Sequence, residues 1–382
     1  MNAAIAPVDL APLLGVLAAG AALALVPLAW FWRRRGGLAP ALRLQAFAWF
    51  VLFLGFDLVL LGAFTRLSDS GLGCPDWPGC YGHASPLGAS APIAAAEAAL
   101  PTGAVTATKA WIEMLHRYAA TAIGALVVIL AALAIRAARR SAGRIGSGWA
   151  LWTLLWVCVQ GAFGALTVAW RLYPAIVTLH LLGGVGLLAL LAIQAERYAP
   201  RALALAPRLR AGLVAVAVLT VVQIALGAWV SSNYAVLACS DFPTCQGSWW
   251  PEMDIAQGFV VRRPLGAGAG GYLPFAALTA IHMAHRLGAL VLLPAMAAFA
   301  WRLHGAGAAT RPWALALLGL AAWQAASGLG NVLLGWPLAA AVAHTAGAAA
   351  LVVVLTVLLV RSAPLRAAHS SIDAGGAPAL AS

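Results

Sequence analysis

Four histidines stand at corresponding places in two copies of one pattern. His116 is followed by Arg117 and His285 by Arg286, while Gln160, Gly164 and His180 are answered by Gln324, Gly328 and His344. Neutral imidazole is a metal ligand. Two imidazoles per copy, at one depth on helices of one bundle, can approach an iron from opposite faces of a porphyrin. A lone histidine on an apolar helix is more often a hydrogen-bonded packing residue, but four at repeat-related positions reverse that balance. The copies differ at one position of chemical weight. Glu113 precedes His116 by three residues, on the same helical face, where the second copy has His282 before His285. A carboxyl group buried beside a ligand is general acid/base equipment, so the first copy reads as the reacting site and the second as the holding site. His282 is either a third ligand candidate or, from its shallower position, an outer-surface polar residue.

The repeat extends to the cysteines. Cys74-Pro75-Asp76-Trp77-Pro78-Gly79-Cys80 matches Cys239-Ser240-Asp241-Phe242-Pro243-Thr244-Cys245, and each follows a Gly-Ala-aromatic triplet that begins at Gly62 or Gly227. Their symmetry and outer location predict two intra-loop disulfides, Cys74 with Cys80 and Cys239 with Cys245. Such small rings serve as loop staples or as a redox-labile thiol relay. Gly183, Gly288 and Gly347 each lie three residues after a candidate ligand; they leave room for a flat macrocycle or serve plain helix packing. Arg117 and Arg286 are placed to pair with the propionates of such a cofactor or to snorkel to the interface. Cys158 reads as an inert core residue, and His83, His304 and His369 fall outside the spans.

The elements that must position these residues are membrane helices. A chain that is 63% hydrophobic and 9% charged cannot clothe a soluble globule in polar groups. Apolar runs predict nine transmembrane helices, at about 9–32, 43–65, 111–135, 149–170, 174–196, 210–231, 275–302, 312–334 and 338–361. The net charge of +12 is topological rather than a nucleic-acid footprint. Most of the basic residues follow the odd-numbered spans, as in Arg33–Arg35, Arg139 with Arg140 and Arg208 with Arg210. The positive-inside rule then puts the N-terminus outside and the C-terminus in the cytoplasm. The first span ends in a triple Arg rather than a cleavage site, so it reads as a reversed signal-anchor. The expected architecture is all-α: an extra N-terminal helix and basic loop (1–42), two homologous four-helix bundles as a parallel tandem repeat (43–200 and 201–365), and a disordered tail (366–382). Four imidazoles in the outer third of the membrane put function on the outer face. Segment 84–105, rich in Ala, Pro, Gly and Ser, is expected to wander over the surface, and Trp249-Trp250-Pro251 to anchor the second loop at the interface.

Residues 62–78, from Gly62-Ala63-Phe64-Thr65-Arg66 through Cys74-Pro75-Asp76-Trp77-Pro78, together with Trp111-Ile112-Glu113-Met114-Leu115-His116-Arg117, resemble the signature of bacterial and mitochondrial haem A synthases. Thr178-Leu179-His180, His285-Arg286 and His344 extend the resemblance over roughly 43–361. It implies oxidation of the C8 methyl of haem O to a formyl group by successive hydroxylations, supplying haem A to cytochrome oxidase. It further implies a haem b cofactor carried by His285 and His344, and a substrate site carried by His116 and His180, with Glu113 important for turnover. The extra N-terminal span departs from the eight-helix family core.

A bacterial inner-membrane protein of this kind would work in the lipid bilayer beside a haem O synthase and cytochrome oxidase assembly factors, as a monomer or a homo-oligomer. The sequence has no nucleotide-binding fingerprint and no ferredoxin-type cysteine cluster, so its electrons come from a separate donor. A di-haem electron-transfer cytochrome would also use four histidines, but would stack its haems across both leaflets. A non-catalytic haem carrier would have no need of Glu113.

Overall fold

The computed structural model describes residues 9–141, 145–262 and 273–363, and among these every regular element is helical. In chain order they are α1 (Ala11–Arg35), α2 (Pro40–Leu67), α3 (Ser90–Ala99), α4 (Ala107–Arg140), α5 (Gly148–Ala169), α6 (Pro174–Tyr198), α7 (Pro207–Ser232), α8 (Ile255–Gly258), α9 (Phe275–Gly305), α10 (Arg311–Leu333) and α11 (Leu338–Arg361). All but α3 and α8 are long and apolar enough to cross a membrane. Their positions agree with the nine spans expected from hydropathy to within a few residues.

Proline in the first turn opens α1, α2, α6, α7 and α10, where its missing N–H costs nothing. The start of α4 is fixed differently: Thr106 Oγ1 accepts from Lys109 N–H at 3.2 Å. At 34 residues, α4 is much longer than the ~20 needed to cross hydrocarbon. The extra length brings its first turns beside the loop that carries Cys74.

Within the first half α2 packs on α4 and α6, and α5 packs on the same two. In the second half α7 and α10 each pack on α9 and α11. Four spans thus close on one another in each half, and the halves meet where α6 and α11 touch each other, with α7 against α6 and α2 against α11. Helix α1 lies along α4. A Cβ on Gly20 would collide with Thr121, so glycine is what lets these two axes approach.

Segment 84–105 does not wander. Its alanine-rich middle forms α3, because Ala is the best helix former and Ile93 gives the helix one apolar anchor. Ile93 is buried against a cluster that includes Cys74, Cys80, Met114 and Tyr118. Trp249 and Trp250 are exposed, as an interfacial anchor requires. The tail expected to be disordered lies outside the described residues.

One ion pair ties the halves together. Glu196 on α6 is 1% exposed. Its two oxygens accept from Arg361 Nε and Nη2 on α11, both at 2.8 Å, and the Arg361 guanidinium also lies 5.2 Å over the Trp313 ring. Removing the cation would strand a buried carboxylate, which typically costs about 3 kcal/mol or more. Removing the carboxylate leaves an arginine that keeps its aromatic partner and reaches water. Arg361→Ala should therefore lower the thermal unfolding midpoint in detergent clearly more than Glu196→Ala does. Midpoints of both variants equal to that of the unmodified protein would show that the pair holds nothing together.

Candidate functional site

Each candidate ligand ring lies against a glycine of a neighbouring helix. A Cβ on Gly62 of α2 would come 3.0 Å from His116 Cε1, and one on Gly227 of α7 would come 2.9 Å from His285 Cε1. For Gly164 of α5 against His180, and Gly328 of α10 against His344, the distances are 3.6 and 3.2 Å. The same glycine–imidazole contact is made four times, twice per half, at repeat-equivalent positions. Helix register supports this. His116 and His285 come nine and ten residues after the starts of α4 and α9, and His180 and His344 each come six residues after the starts of α6 and α11.

The second half shows the pair side by side, one ring edge-on to the other. The rings of His285 and His344 have centroids 6.4 Å apart and planes at 81°. Two metal–imidazole bonds of about 2 Å each, with the ring radii, span roughly that distance. In the first half His116 and His180 stand at the repeat-equivalent places on α4 and α6. Among the described residues no group of three or more His, Cys, Asp or Glu side chains could hold a metal ion. A metal here would need further ligands of its own, which is what a porphyrin iron brings. The residues present fit a haem.

The glycines one turn after the histidines serve another purpose. A Cβ on Gly183 would strike the side chain of Gln160, one on Gly288 that of Gln223, and one on Gly347 that of Gln324. Their missing side chains make room for glutamine amides, not for a macrocycle. Gln324 Nε2 donates to the His344 carbonyl at 2.9 Å, and Gln223 Nε2 donates to the His285 carbonyl at 2.9 Å while lying 3.0 Å from His285 Nδ1. Ser327 Oγ lies 2.9 Å from His344 Nδ1. No repeat spacing marks Gln223 or Ser327, because neither has a polar counterpart in the first half.

Both arginines that follow a candidate ligand hold the cysteine-bearing loops. Arg117 Nη1 donates to the carbonyls of Asp76 (2.9 Å), Pro78 (3.2 Å) and Gly79. Arg286 donates to those of Thr244 (2.8 Å), Asp241 (2.9 Å) and Cys239 (3.3 Å). The loops close as expected, with disulfides Cys74–Cys80 and Cys239–Cys245. After each second cysteine the chain reverses through two residues of positive φ, Tyr81-Gly82 and Gln246-Gly247, a turn whose N–H groups point at the loop aspartate. Asp76 accepts from Tyr81 and Gly82 N–H at 2.6 and 2.7 Å, and Asp241 from Gln246 and Gly247 N–H at 2.6 and 3.0 Å.

Glu113 belongs to this arrangement. It is 4% exposed; one carboxylate oxygen accepts from Arg117 Nη2 and the other from Cys74 N–H at 2.8 Å. Its counterpart His282 is not an outer-surface residue: it is buried, with Nδ1 2.9 Å from the Ala235 carbonyl. Nor is Glu113 alone among carboxyls within the spans. Asp57 sits within α2, exposed on that helix, and the single Asp in an unbroken apolar run was the available signal. His83 closes the first loop turn by backbone hydrogen bonds with Cys80. His304 is exposed in the last turn of α9, Cys158 is exposed rather than a core residue, and His369 lies outside the described residues.

Residues 45–356 match the model of the cytochrome oxidase assembly protein family COX15-CtaA. The chain belongs to the haem A synthase family. It is 36% identical over 308 residues to a haem A synthase of Shewanella oneidensis, covering 79% of this chain and 91% of that protein. It is 30% identical over 354 residues to that of a Methylobacterium species, covering 82% and 90%. A relative of the same name from Halalkalibacterium halodurans is 30% identical over 260 residues, covering 66% and 74%. Both disulfide loops and all four candidate ligands lie inside the matched segment, whereas α1 lies before it.

The second loop carries a measurable pH signature. Hydrogen bonds to the Asp241 carboxylate, first from the Thr244 hydroxyl and then from the Gly247 and Gln246 N–H groups, hold its pKa down to about 2. A depressed carboxylate contributes order that is complete above its ordinary value of 3.8 and is lost as pH falls through about 2. Exchange protection of the Gln246 and Gly247 amides should therefore survive at pH 4 and collapse toward pH 2, while Asp241→Asn should flatten that dependence. Protection that tracked pH in the Asn variant as well would assign the effect to another group.

Proposed function

We propose that the chain is an inner-membrane oxidoreductase that converts the C8 methyl group of haem O to the formyl group of haem A, with substrate in the first half and haem b in the second. The observation that carries this reading is the shared geometry of the two histidine pairs combined with a carboxylate beside only one of them. Residues 43–200 and 201–365 act as two units, with His116 and His180 the iron ligands of the first and His285 and His344 those of the second. When bound, haem b supplies one-electron redox chemistry, fed by a donor outside this chain.

The protein's own contribution is to bind, orient and move protons. Four glycines open the space in which the imidazoles stand, and α-helical register sets each pair at one depth. Glu113 holds a proton or a negative charge next to the ligand of the reacting half, where hydrocarbon excludes water. Its two partners keep the carboxylate fixed, so that a proton arriving there is held at one place. The arginine-rich connections face the cytoplasm and the disulfide loops face out. Haem O synthase and the oxidase assembly machinery are then the source of substrate and the destination of product.

The geometry offers Glu113 a purely structural role as well, namely anchoring Arg117 and Cys74, and the test must separate the two. Glu113→Gln and Arg117→Gln each break the ion pair, but only the first removes the titratable carboxyl. In cells that supply haem O, with extracted haems separated by chromatography, Glu113→Gln should retain haem b and lose haem A formation by about 10²- to 10⁴-fold, whereas Arg117→Gln should keep substantial turnover. Equal losses in the two variants would reduce Glu113 to a loop anchor. Haem b alone, with no oxidised product from the unmodified chain, would point to an electron-transfer cytochrome.

A further inference from the structure

The two histidine pairs differ in what stands behind their rings. In the second half each ring has a polar side chain at Nδ1: Gln223 at 3.0 Å from His285 and Ser327 at 2.9 Å from His344. In the first half His116 Nδ1 and His180 Nδ1 are both buried without a hydrogen-bond partner. The repeat explains this residue by residue. Carrying the Gly62 to Gly227 correspondence back four positions sets Leu58 opposite Gln223, and carrying Gly164 to Gly328 back one sets Phe163 opposite Ser327. Apolar side chains occupy the places where the second half has an amide and a hydroxyl.

An imidazole that ligates a metal through Nε2 carries its proton on Nδ1, and an acceptor there fixes the tautomer, locks the ring plane and raises the basicity of the ligand. Ser327 is arranged for this. Its hydroxyl donates to the Trp323 carbonyl at 2.7 Å, which leaves an oxygen lone pair for His344 Nδ1–H. Gln223 is held in place by its bond to the His285 carbonyl, fits the space above Gly288, and keeps a buried Oε1 without another partner. As placed, the amide N–H stands at Nδ1; presenting Oε1 to an Nδ1–H turns the amide and exchanges its bond to the His285 carbonyl for one to the ring.

We infer that Gln223 and Ser327 are positioning residues that make the second half the haem-retaining site, and that Leu58 and Phe163, by withholding such partners from His116 and His180, leave the first half free to exchange its haem. This rests on the assignment of haem b to His285 and His344. It answers a requirement of that assignment: a substrate must enter and leave, while a resident cofactor must not. Near-identical ligand pairs can meet these opposite demands if the difference lies behind the rings.

The test uses purified full-length protein carrying its haem and reads three properties other than turnover: the rate of haem transfer to excess apomyoglobin, the midpoint potential, and the low-spin ferric EPR signal, which responds to the angle between axial imidazole planes. Ser327→Ala and Gln223→Leu should each speed haem loss by about 10- to 100-fold. Ser327→Ala should also raise the midpoint potential, because a less basic imidazole stabilises the ferric ion less, and should shift or broaden the EPR signal. Ser327→Thr, which keeps the hydroxyl, should restore all three. Unchanged haem loss, potential and EPR signal in both variants would overturn the inference, as would a Thr variant that behaves like Ala. His285→Ala and His344→Ala serve as the control for the underlying assignment. If they retain haem b, that assignment fails; if they lose it while Ser327→Ala and Gln223→Leu stay normal, the positioning role alone fails.

Discussion

A guanidinium set among three backbone carbonyls of a seven-residue disulfide loop is the contact on which the loop-bearing end of each unit depends. Chain reversals expose carbonyl groups that cannot stay unpaired at the edge of hydrocarbon. Arg117 and Arg286 answer those groups, and each is the residue directly after a candidate ligand. The loop thus fixes the height and rotation of the turn that carries His116 or His285. Glycine on the facing helix then decides how closely the ring approaches, as Gly62 and Gly227 do at about the same distance. The cysteines need no redox role to matter here, since they hold the ring whose carbonyls receive the arginine.

Much of this was legible in the residues. Nine spans follow from apolar runs that tolerate no other solvent, the duplication from Cys-x-Asp-aromatic-Pro-x-Cys, and the disulfides from its symmetry. What the sequence could not show is which side chain faces which across a helix pair. The glycines after the ligands illustrate this: spacing puts Gly183, Gly288 and Gly347 on the ligand's face, but only the packing of α5 on α6, α7 on α9 and α10 on α11 reveals that a glutamine fills each gap. Sequence alone offers Arg117 and Arg286 propionates or snorkelling, because the loop carbonyls that receive them lie about forty residues away. His282 is shallow by its depth along the helix, yet the 310 turn containing Ala235 folds over it.

The halves differ most where chemistry would require it. Glu113 and His282 occupy equivalent places and both are buried, but the first binds an arginine and a cysteine N–H, whereas the second contacts a carbonyl. A carboxyl group in that position can accept from two donors, and the first half provides them. A neutral imidazole needs only an acceptor for one N–H. The loop below each residue is nearly the same, so the exchange changes the local charge without disturbing the disulfide ring.

The seam between the halves shows why a fused pair can do what two identical chains cannot. At the C-terminal ends of α2 and α7, repeat-equivalent residues meet each other: Arg66 donates to the Ser231 carbonyl, and the Tyr234 hydroxyl lies 3.3 Å from Asp69. Contacts between equivalent positions mark a pseudo-twofold axis between the halves. On such an axis a symmetric dimer would set Arg66 against its own copy and Asp69 against its own copy, and like charges repel. Within one chain the two positions differ, so Arg66 finds the Tyr234 ring at 4.1 Å, while Asp69 pairs with Lys109 at 3.2 Å as well as with Tyr234. Fusion therefore removes the requirement that both halves be alike. That freedom lets one histidine pair be fixed from behind by an amide and a hydroxyl while the other is left with apolar neighbours.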